Sequence, residues 1–418
     1  MSHDHTPPEP TAPETAPAEA AALEAPGSEA CPETAAPGRR THRSRLRRRL
    51  LVGLASTVVL VLGAAAGLLW LAAGRLVHPM DDTPLSTHIV ASAPGMVTLP
   101  ATTDSRATGT YGLVWQDEET DRRHHGTLGA VLSSDDDTVT RELTADTPPA
   151  PGAKAKVIVT VWNTDPGQAL GLDHQDVTYP GELGPMPAWF LPGTGTTWVI
   201  QVHGLGAGRA AGLRTMPQLH DLGHPVLDIT YRNDPGAPQD SSNTRHFGDT
   251  EWRDLDAAVR YARDHGATGV VLLGHSMGGG IIETYLQRAT DTSAVRAVIL
   301  DSPALDYRAT LDTIVTGLGL PSPVAALQAG MLGLRAGVDL DDVDALAANR
   351  RTGPKQPVLL FHGTGDTVVP YATSAEFAHD WPDKVRLVTV EGATHTGAWN
   401  TDPHTYAKEL AAFLAQHT

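Results

Sequence analysis

Five consecutive residues, Gly274-His275-Ser276-Met277-Gly278, constrain the fold more than any other feature of this sequence. They directly follow a continuous apolar run at 270–273 and precede a helical run that begins near Gly279. A strand that turns at once into a helix needs little side-chain bulk at the bend, and the glycines on both sides of Ser276 provide that. The serine hydroxyl then stands at the apex of the turn. The first amides of the following helix point toward whatever that hydroxyl attacks. The run 270–273 does not alternate with polar residues, so its strand is expected to be buried on both faces, as in a parallel sheet covered by helices.

From about residue 176 onward the same texture recurs. Strand-like runs at 198–202, 226–230, 294–300, 358–361 and 385–390 alternate with helical stretches at 212–222 and 251–264. In the second helical stretch Leu255, Ala258, Val259 and Ala262 fall on one face. Apolar strands alternating with helices predict an α/β domain over 176–418 with a mostly parallel central sheet. An insertion of helical character interrupts it at about 303–357. Its residues Leu311, Ile314, Leu327 and Leu332 suit either ordinary helix packing or the lining of an acyl pocket.

The N-terminal part is built differently. Residues 1–49 begin with a tail rich in Pro, Ala, Glu and Thr that holds the single cysteine, Cys31, and end in a cluster of seven arginines from Arg39 to Arg49. Such a tail buries too little surface to offset its ordering entropy. Residues 50–73 then carry no charge at all and include Trp70 near their far end. At about 1.5 Å per residue this is long enough to cross a bilayer core of roughly 30 Å. The arginines on one side predict a cytoplasmic N-terminus, with everything after residue 73 extracytoplasmic. A cleaved signal peptide is the competing reading, disfavoured by the long leader. Residues 1–49 hold 7 acidic and 7 basic residues, so the whole net charge of −17 lies beyond them. An acidic outer part repels phosphate backbones, which argues against a nucleic-acid partner.

Between these parts, 74–175 reads as a stalk and a small β-rich subdomain, with strand-like runs at 111–115, 128–132, 138–143 and 156–162. Asp135, Asp136 and Asp137 between two of them read as a solvated turn, because no calcium-loop spacing follows.

The strand–Gly-x-Ser-x-Gly–helix arrangement resembles the α/β-hydrolase superfamily, and most closely its esterase and prolyl-oligopeptidase-like branches, over residues 176–418. Two further segments carry the resemblance. Phe361-His362-Gly363-Thr364-Gly365-Asp366-Thr367-Val368-Val369-Pro370 is similar to the family's acid loop, and Glu391-Gly392-Ala393-Thr394-His395 to its histidine loop. The resemblance implies an α/β-hydrolase fold with a helical cap, Ser276 as nucleophile, His395 as base and Asp366 as the acid that orients it. His203-Gly204-Leu205-Gly206 resembles the oxyanion loop, which implies the Leu205 amide as one oxyanion donor and the Met277 amide as the other. Asp301, at the end of the run 294–300, is the rival acid. Arg232 reads either as an anchor for a substrate carboxylate or as half of a buried ion pair, His203 as structural, and Glu251 and Asp254 as a structural helix start.

Chemically, a serine hydroxyl attacks well only when a neighbouring base takes its proton, and a histidine does so near neutral pH. The expectation is a serine esterase or lipase-like acyl hydrolase, tethered through residues 50–73, acting on a small-molecule or lipid ester and using no metal or organic cofactor. A peptidase or acyltransferase of the same fold, or a catalytically silent binding module on it, are the alternatives.

Overall fold

The computed structural model describes residues 40–78, 84–117 and 119–418. Residues 1–39 of the expected tail, with Cys31, therefore lie outside the described residues, while its arginine cluster from Arg40 onward is helical rather than disordered. The chain divides into two units, 1–62 and 63–418. A single helix, Arg40–Val77, begins in the first unit and ends in the second. It continues four residues past the end expected from the uncharged run. Its stretch Arg45–Val77 is long and apolar enough to cross a membrane. Within the first unit Leu50, Leu54 and Leu60 are exposed.

The second unit contains two sheets. The first has seven strands: β1 (Thr87–His88), β2 (Ala91–Ala93), β3 (Met96–Pro100), β4 (Tyr111–Gln116), β5 (Arg123–Ser134), β6 (Thr138–Thr144) and β7 (Lys154–Ile158). Their order is β1-β7-β4-β5-β6-β3-β2, and every neighbouring pair is antiparallel. Its core holds Val97, Leu99, Tyr111, Leu113, Trp115 and Leu128. Arg141 is fully buried beside it because its guanidinium donates to the carbonyls of Ala107, Gly109 and Gly129. Asp135 closes the β5–β6 turn by accepting from the Asp137 and Thr138 amides. β7 stops at Ile158, short of the run expected to reach residue 162. Beyond it side chains take the backbone: the Thr160 carbonyl meets His125 Nε2, and the Val161 carbonyl accepts from Thr127 Oγ1.

The second sheet has eight strands: β8 (Gln175–Gly181), β9 (Gly184–Leu191), β10 (Thr197–Val202), β11 (Val226–Ile229), β12 (Gly269–His275), β13 (Val295–Asp301), β14 (Val358–Gly363) and β15 (Val385–Val390). The order is β15-β14-β13-β12-β10-β11-β9-β8. All neighbours from β11 to β15 are parallel, while β9 runs antiparallel to both β8 and β11. Side chains of a strand alternate between faces, and here both faces are dry. Val270 and Leu272 join one core with Ile200 and Leu300, while Val271 and Leu273 join the other with Val199 and Ile299. Burying each such side chain is worth roughly 1.5–3 kcal/mol, so the central strands need helices on both sides. The helix Trp252–Asp264 covers one face through Leu255, Ala258 and Val259. The C-terminal helix Pro403–His417 covers the other through Tyr406, Leu410 and Phe413, with Tyr406 stacked on Phe361 at 3.9 Å.

The insertion after β13 forms three helices, Tyr307–Gly317, Ser322–Ala336 and Ala345–Thr352. The last of them meets the helix Met277–Arg288 at a buried carboxyl. Asn349 Nδ2 donates to Glu283 Oε2 at 2.7 Å, and Glu283 lines a cavity of about 250 Å³. Burial pushes the Glu283 carboxyl up to about 7, with only the Asn349 bond opposing it. A carboxyl raised on folding is protonated in the native state while the unfolded chain has already ionised. Stability therefore falls as pH rises from about 4.5 to about 7, by up to about 3 kcal/mol. Glu283→Gln removes that dependence. The variant is expected to gain stability relative to the parent between pH 5 and pH 8 in urea unfolding. An equal difference at both pH values would show that Glu283 does not titrate in this range.

Candidate active site

Ser276 sits between β12 and the helix Met277–Arg288 with φ 53° and ψ −118°, a backbone conformation that side chains other than glycine rarely adopt. The bend holds because its neighbours are small. A Cβ on Gly278 would lie 2.1 Å from the Val202 carbonyl oxygen, and one on Gly274 would lie 2.8 Å from the backbone of Gly278. The turn is tied to the next strand by the Ser276 amide, which donates to the Asp301 carbonyl at 2.9 Å. Strain of this kind persists only where the surroundings over-determine it.

The structure brings the three expected side chains into one hydrogen-bonded chain. His395 Nε2 is 2.9 Å from Ser276 Oγ, and His395 Nδ1 is 2.8 Å from Asp366 Oδ2. Facing a carboxylate, Nδ1 carries the proton, which leaves Nε2 as the acceptor for the serine hydroxyl. Asp366 Oδ1 accepts from the Val368 and Val369 amides at 2.8 and 2.9 Å. Burial works to raise the Asp366 carboxyl, but hydrogen bonds from His362 and His395 and from the Val368 amide hold it well below the usual carboxylate range.

The rival acid stands in a different position. Asp301 is fully buried, accepts from Ser302 Oγ at 3.4 Å, and is pushed up by burial against the opposing charge of Arg214. Its place in the site is backbone support for the serine turn.

Two further neighbours were given no role of their own by the sequence, although His362 lies within the acid-loop motif. His362, at the end of β14, lies with Nε2 3.2 Å from Asp366 Oδ2 and Nδ1 2.7 Å from Ser374 Oγ. With Ser374 donating to Nδ1, His362 donates from Nε2 and shares the carboxylate with His395. Asn400 is fully buried and joins three parts of the second unit. Its Oδ1 accepts from Arg214 Nη1 at 2.6 Å, and its Nδ2 donates to the Thr110 and Val159 carbonyls of the first sheet's chain. The same Arg214 nitrogen donates to the Thr396 carbonyl, next to His395. The small antiparallel sheet thus packs on the segment that carries the histidine.

Leu205 and Gly204 follow β10 and approach the serine turn. A Cβ on Gly204 would lie 3.0 Å from Ser276 Cβ. Met277 is the first residue of its helix, where amides have no intrahelical acceptor. Arg232 is half of a buried ion pair, bonded through Nε to Asp254 at 2.8 Å and through Nη2 to Glu182 at 3.0 Å. His203 is likewise buried, 2.8 Å from Asp234. Glu251 accepts from the His246 and Gly248 amides.

Two clefts meet at Ser276 and His395. One, of about 390 Å³, is lined by Asp104, Lys156, Thr160, Arg214 and Thr394 and has β7 of the small sheet as a wall. The other, of about 180 Å³, is lined by Leu76, Phe247, Tyr307, Leu311, Ile314 and Leu332. The first mixes charged and polar side chains with apolar ones, and the second is almost wholly apolar. A nucleophile at their junction can receive a bond whose two sides differ in polarity.

Comparison with known proteins agrees with this architecture. Residues 240–337 match a family model described as serine aminopeptidase, and residues 336–418 one described as TAP-like protein. An esterase of Pyrococcus furiosus shares the fold, with a TM-score of 0.51 and 22% identity over 62% of this chain and 95% of the esterase. The fold is that of the α/β-hydrolases. Among sequence relatives, the uncharacterized protein YfhR of Escherichia coli K12 is 23% identical over 55% of this chain and 76% of its own length. A non-heme chloroperoxidase of Streptomyces lividans is 28% identical over 46% of this chain and 83% of its own length. Residues 88–158, the small antiparallel sheet, match a domain of unknown function, DUF8805.

Proposed function

We propose that this α/β-hydrolase is a serine esterase that cleaves a carboxylic ester through an acyl-enzyme. The observation that carries the reading is the Ser276–His395–Asp366 chain at the junction of an apolar cleft and a larger one that also carries charged side chains. His395 takes the Ser276 proton as Oγ attacks the ester carbonyl, and returns it to the departing alcohol. Water, deprotonated by the same nitrogen, then releases the acid. Asp366 holds the tautomer and balances the imidazolium. The Met277 and Leu205 amides receive the negative charge that develops on the carbonyl oxygen. The apolar cleft takes the acyl side and the larger, mixed cleft the leaving alcohol.

The same proposal has the apolar helix anchor the enzyme in the cell membrane, with the N-terminus cytoplasmic and the hydrolase outside. Its support is the one helix of sufficient length and hydropathy among the described residues, and the arginines that precede it.

A panel of p-nitrophenyl esters of graded acyl length, run beside aminoacyl and peptide p-nitroanilides, tests the chemistry. Ester turnover should exceed amide turnover by at least about a hundredfold. Preference for an aminoacyl anilide would transfer the assignment to a peptidase, and turnover of neither would remove the catalytic reading.

A further inference from the structure

Residues 313–334, in a chain of net charge −17, contain no Asp, Glu, Lys, Arg or His. They span the end of one cap helix and nearly all of the next, Ser322–Ala336. In a soluble protein such a run is normally buried. Here Leu318, Leu320, Leu327 and Leu334 are 74%, 45%, 60% and 76% exposed. Leu327 and Leu334 are two turns apart on one face of Ser322–Ala336, opposite the buried Ala325, Gln328, Ala329, Leu332 and Ala336. Exposed apolar surface of this kind marks a site of contact with something apolar.

What it contacts is indicated by the element packed on the same helix. That element is the end of the apolar N-terminal helix. The Gln328 amide, oriented to satisfy both its ends, donates to the Leu69 carbonyl and accepts from the Ala73 amide at 3.1 Å each. The Arg335 guanidinium lies over the Trp70 ring at 4.8 Å and donates to the Trp70 carbonyl. Ala73 and Val77 are fully buried in the hydrolase core, and Leu76 lines the apolar cleft beside Ser276. The last turns of the helix are thus a wall of the site. The helix that presents Leu327 and Leu334 is the one whose Gln328 and Arg335 hold Leu69, Trp70 and Ala73, and tryptophan rings favour the membrane interface.

We infer that the cap is seated in the bilayer that holds the helix, and that the substrate is a membrane lipid whose acyl chain enters the cleft along Leu76. This rests on the esterase reading and on the proposed anchoring. The size of the cleft favours it. About 180 Å³ is small beside the roughly 300–1,000 Å³ of pockets that enclose a whole ligand. A long acyl chain fits if only its carbonyl end enters and the remainder stays among lipid tails. The larger cleft, with Lys156, Arg214 and Asp104 on its wall, then faces the headgroup side of the bond.

The test uses the full chain in phosphatidylcholine vesicles carrying dioleoylglycerol, with p-nitrophenyl acetate as a soluble ester. Leu327→Glu/Leu334→Glu places two carboxylates on the exposed face, where a charge facing lipid is disfavoured and more so with depth. Hydrolysis of vesicle-borne dioleoylglycerol should fall about tenfold or more, with acetate turnover unchanged. Equal rates on both substrates in variant and parent would overturn the inference. A parallel measurement does not depend on activity. In a Cys31→Ser background, a fluorophore on Leu327→Cys should be quenched by lipids carrying a nitroxide near the headgroup. Absence of quenching would place the cap in water and overturn the inference, even where the glutamates had damaged the fold. If the parent turns over neither ester while quenching is seen, the esterase reading fails and the seating of the cap stands.

Discussion

Ser276→Ala is expected to lower ester turnover by at least about 10⁴-fold, because removing a nucleophile leaves only binding and oxyanion stabilisation. The turn already holds a side chain at φ 53°, and alanine keeps the same Cβ without the hydroxyl. The fold should therefore survive, as checked by an unchanged circular dichroism spectrum and unfolding midpoint. A fluorophosphonate probe should label the parent at Ser276 and fail to label the variant. Label that persisted in Ser276→Ala, mapped by peptide mass spectrometry, would remove Ser276 from the proposed role.

Asp366→Asn carries the second large effect, a loss of about 10⁴-fold in turnover. Asp366 Oδ2 accepts from His395 Nδ1 at 2.8 Å, while Oδ1 is occupied by two amides. Asparagine cannot accept at both positions with both oxygens. It must either offer an NH₂ to His395, which moves the imidazole proton to Nε2 and blocks general-base action, or turn the NH₂ onto two amide donors. Since Asp366 is charged in the folded protein, the loss should be present throughout the neutral range. Asp301→Asn is the matched control. Asp301 is held up by burial, and the Ser276 amide uses its backbone carbonyl, so the variant should keep most of its turnover if folded. The reverse pattern would exchange the two acids.

How far the sequence alone reaches can be argued from particular residues. The turn at Ser276 was legible because one steric demand, no Cβ at Gly274 or Gly278, leaves a mark that no helix or ordinary loop needs. The central strands were legible because burial on both faces leaves uninterrupted apolar runs such as 270–273. β8 and β9 were missed. β9 contains Pro185 and Pro187, which speak against a strand. It tolerates them as part of an antiparallel hairpin with β8. The fully buried Asn400 and Arg214 were also missed, because their importance lies in contacts to residues far away in the chain. No local pattern records that Thr110 and Val159 end their carbonyls on one asparagine amide. The role of Leu76 was hidden for a different reason. Leu76 lies behind Arg75, past the uncharged run, where the sequence reads as a stalk, and only packing makes it a wall of the cleft. Charge was a better guide at Arg232, where the two readings were a substrate anchor and a buried ion pair. Asp254 and Glu182 decide for the pair.

The central claim is that the Ser276–His395–Asp366 chain performs acyl transfer through Ser276. It is tested most directly by mixing the full-length protein with p-nitrophenyl butyrate, quenching in acid at short times, and reading peptide masses. The account predicts a butyryl group on the peptide that contains Ser276, formed with a burst of p-nitrophenol and lost at the rate of steady-state turnover. Its absence from Asp366→Asn at the same early times is also expected. Turnover with no acyl group on Ser276, or with the acyl group on another residue, would contradict it.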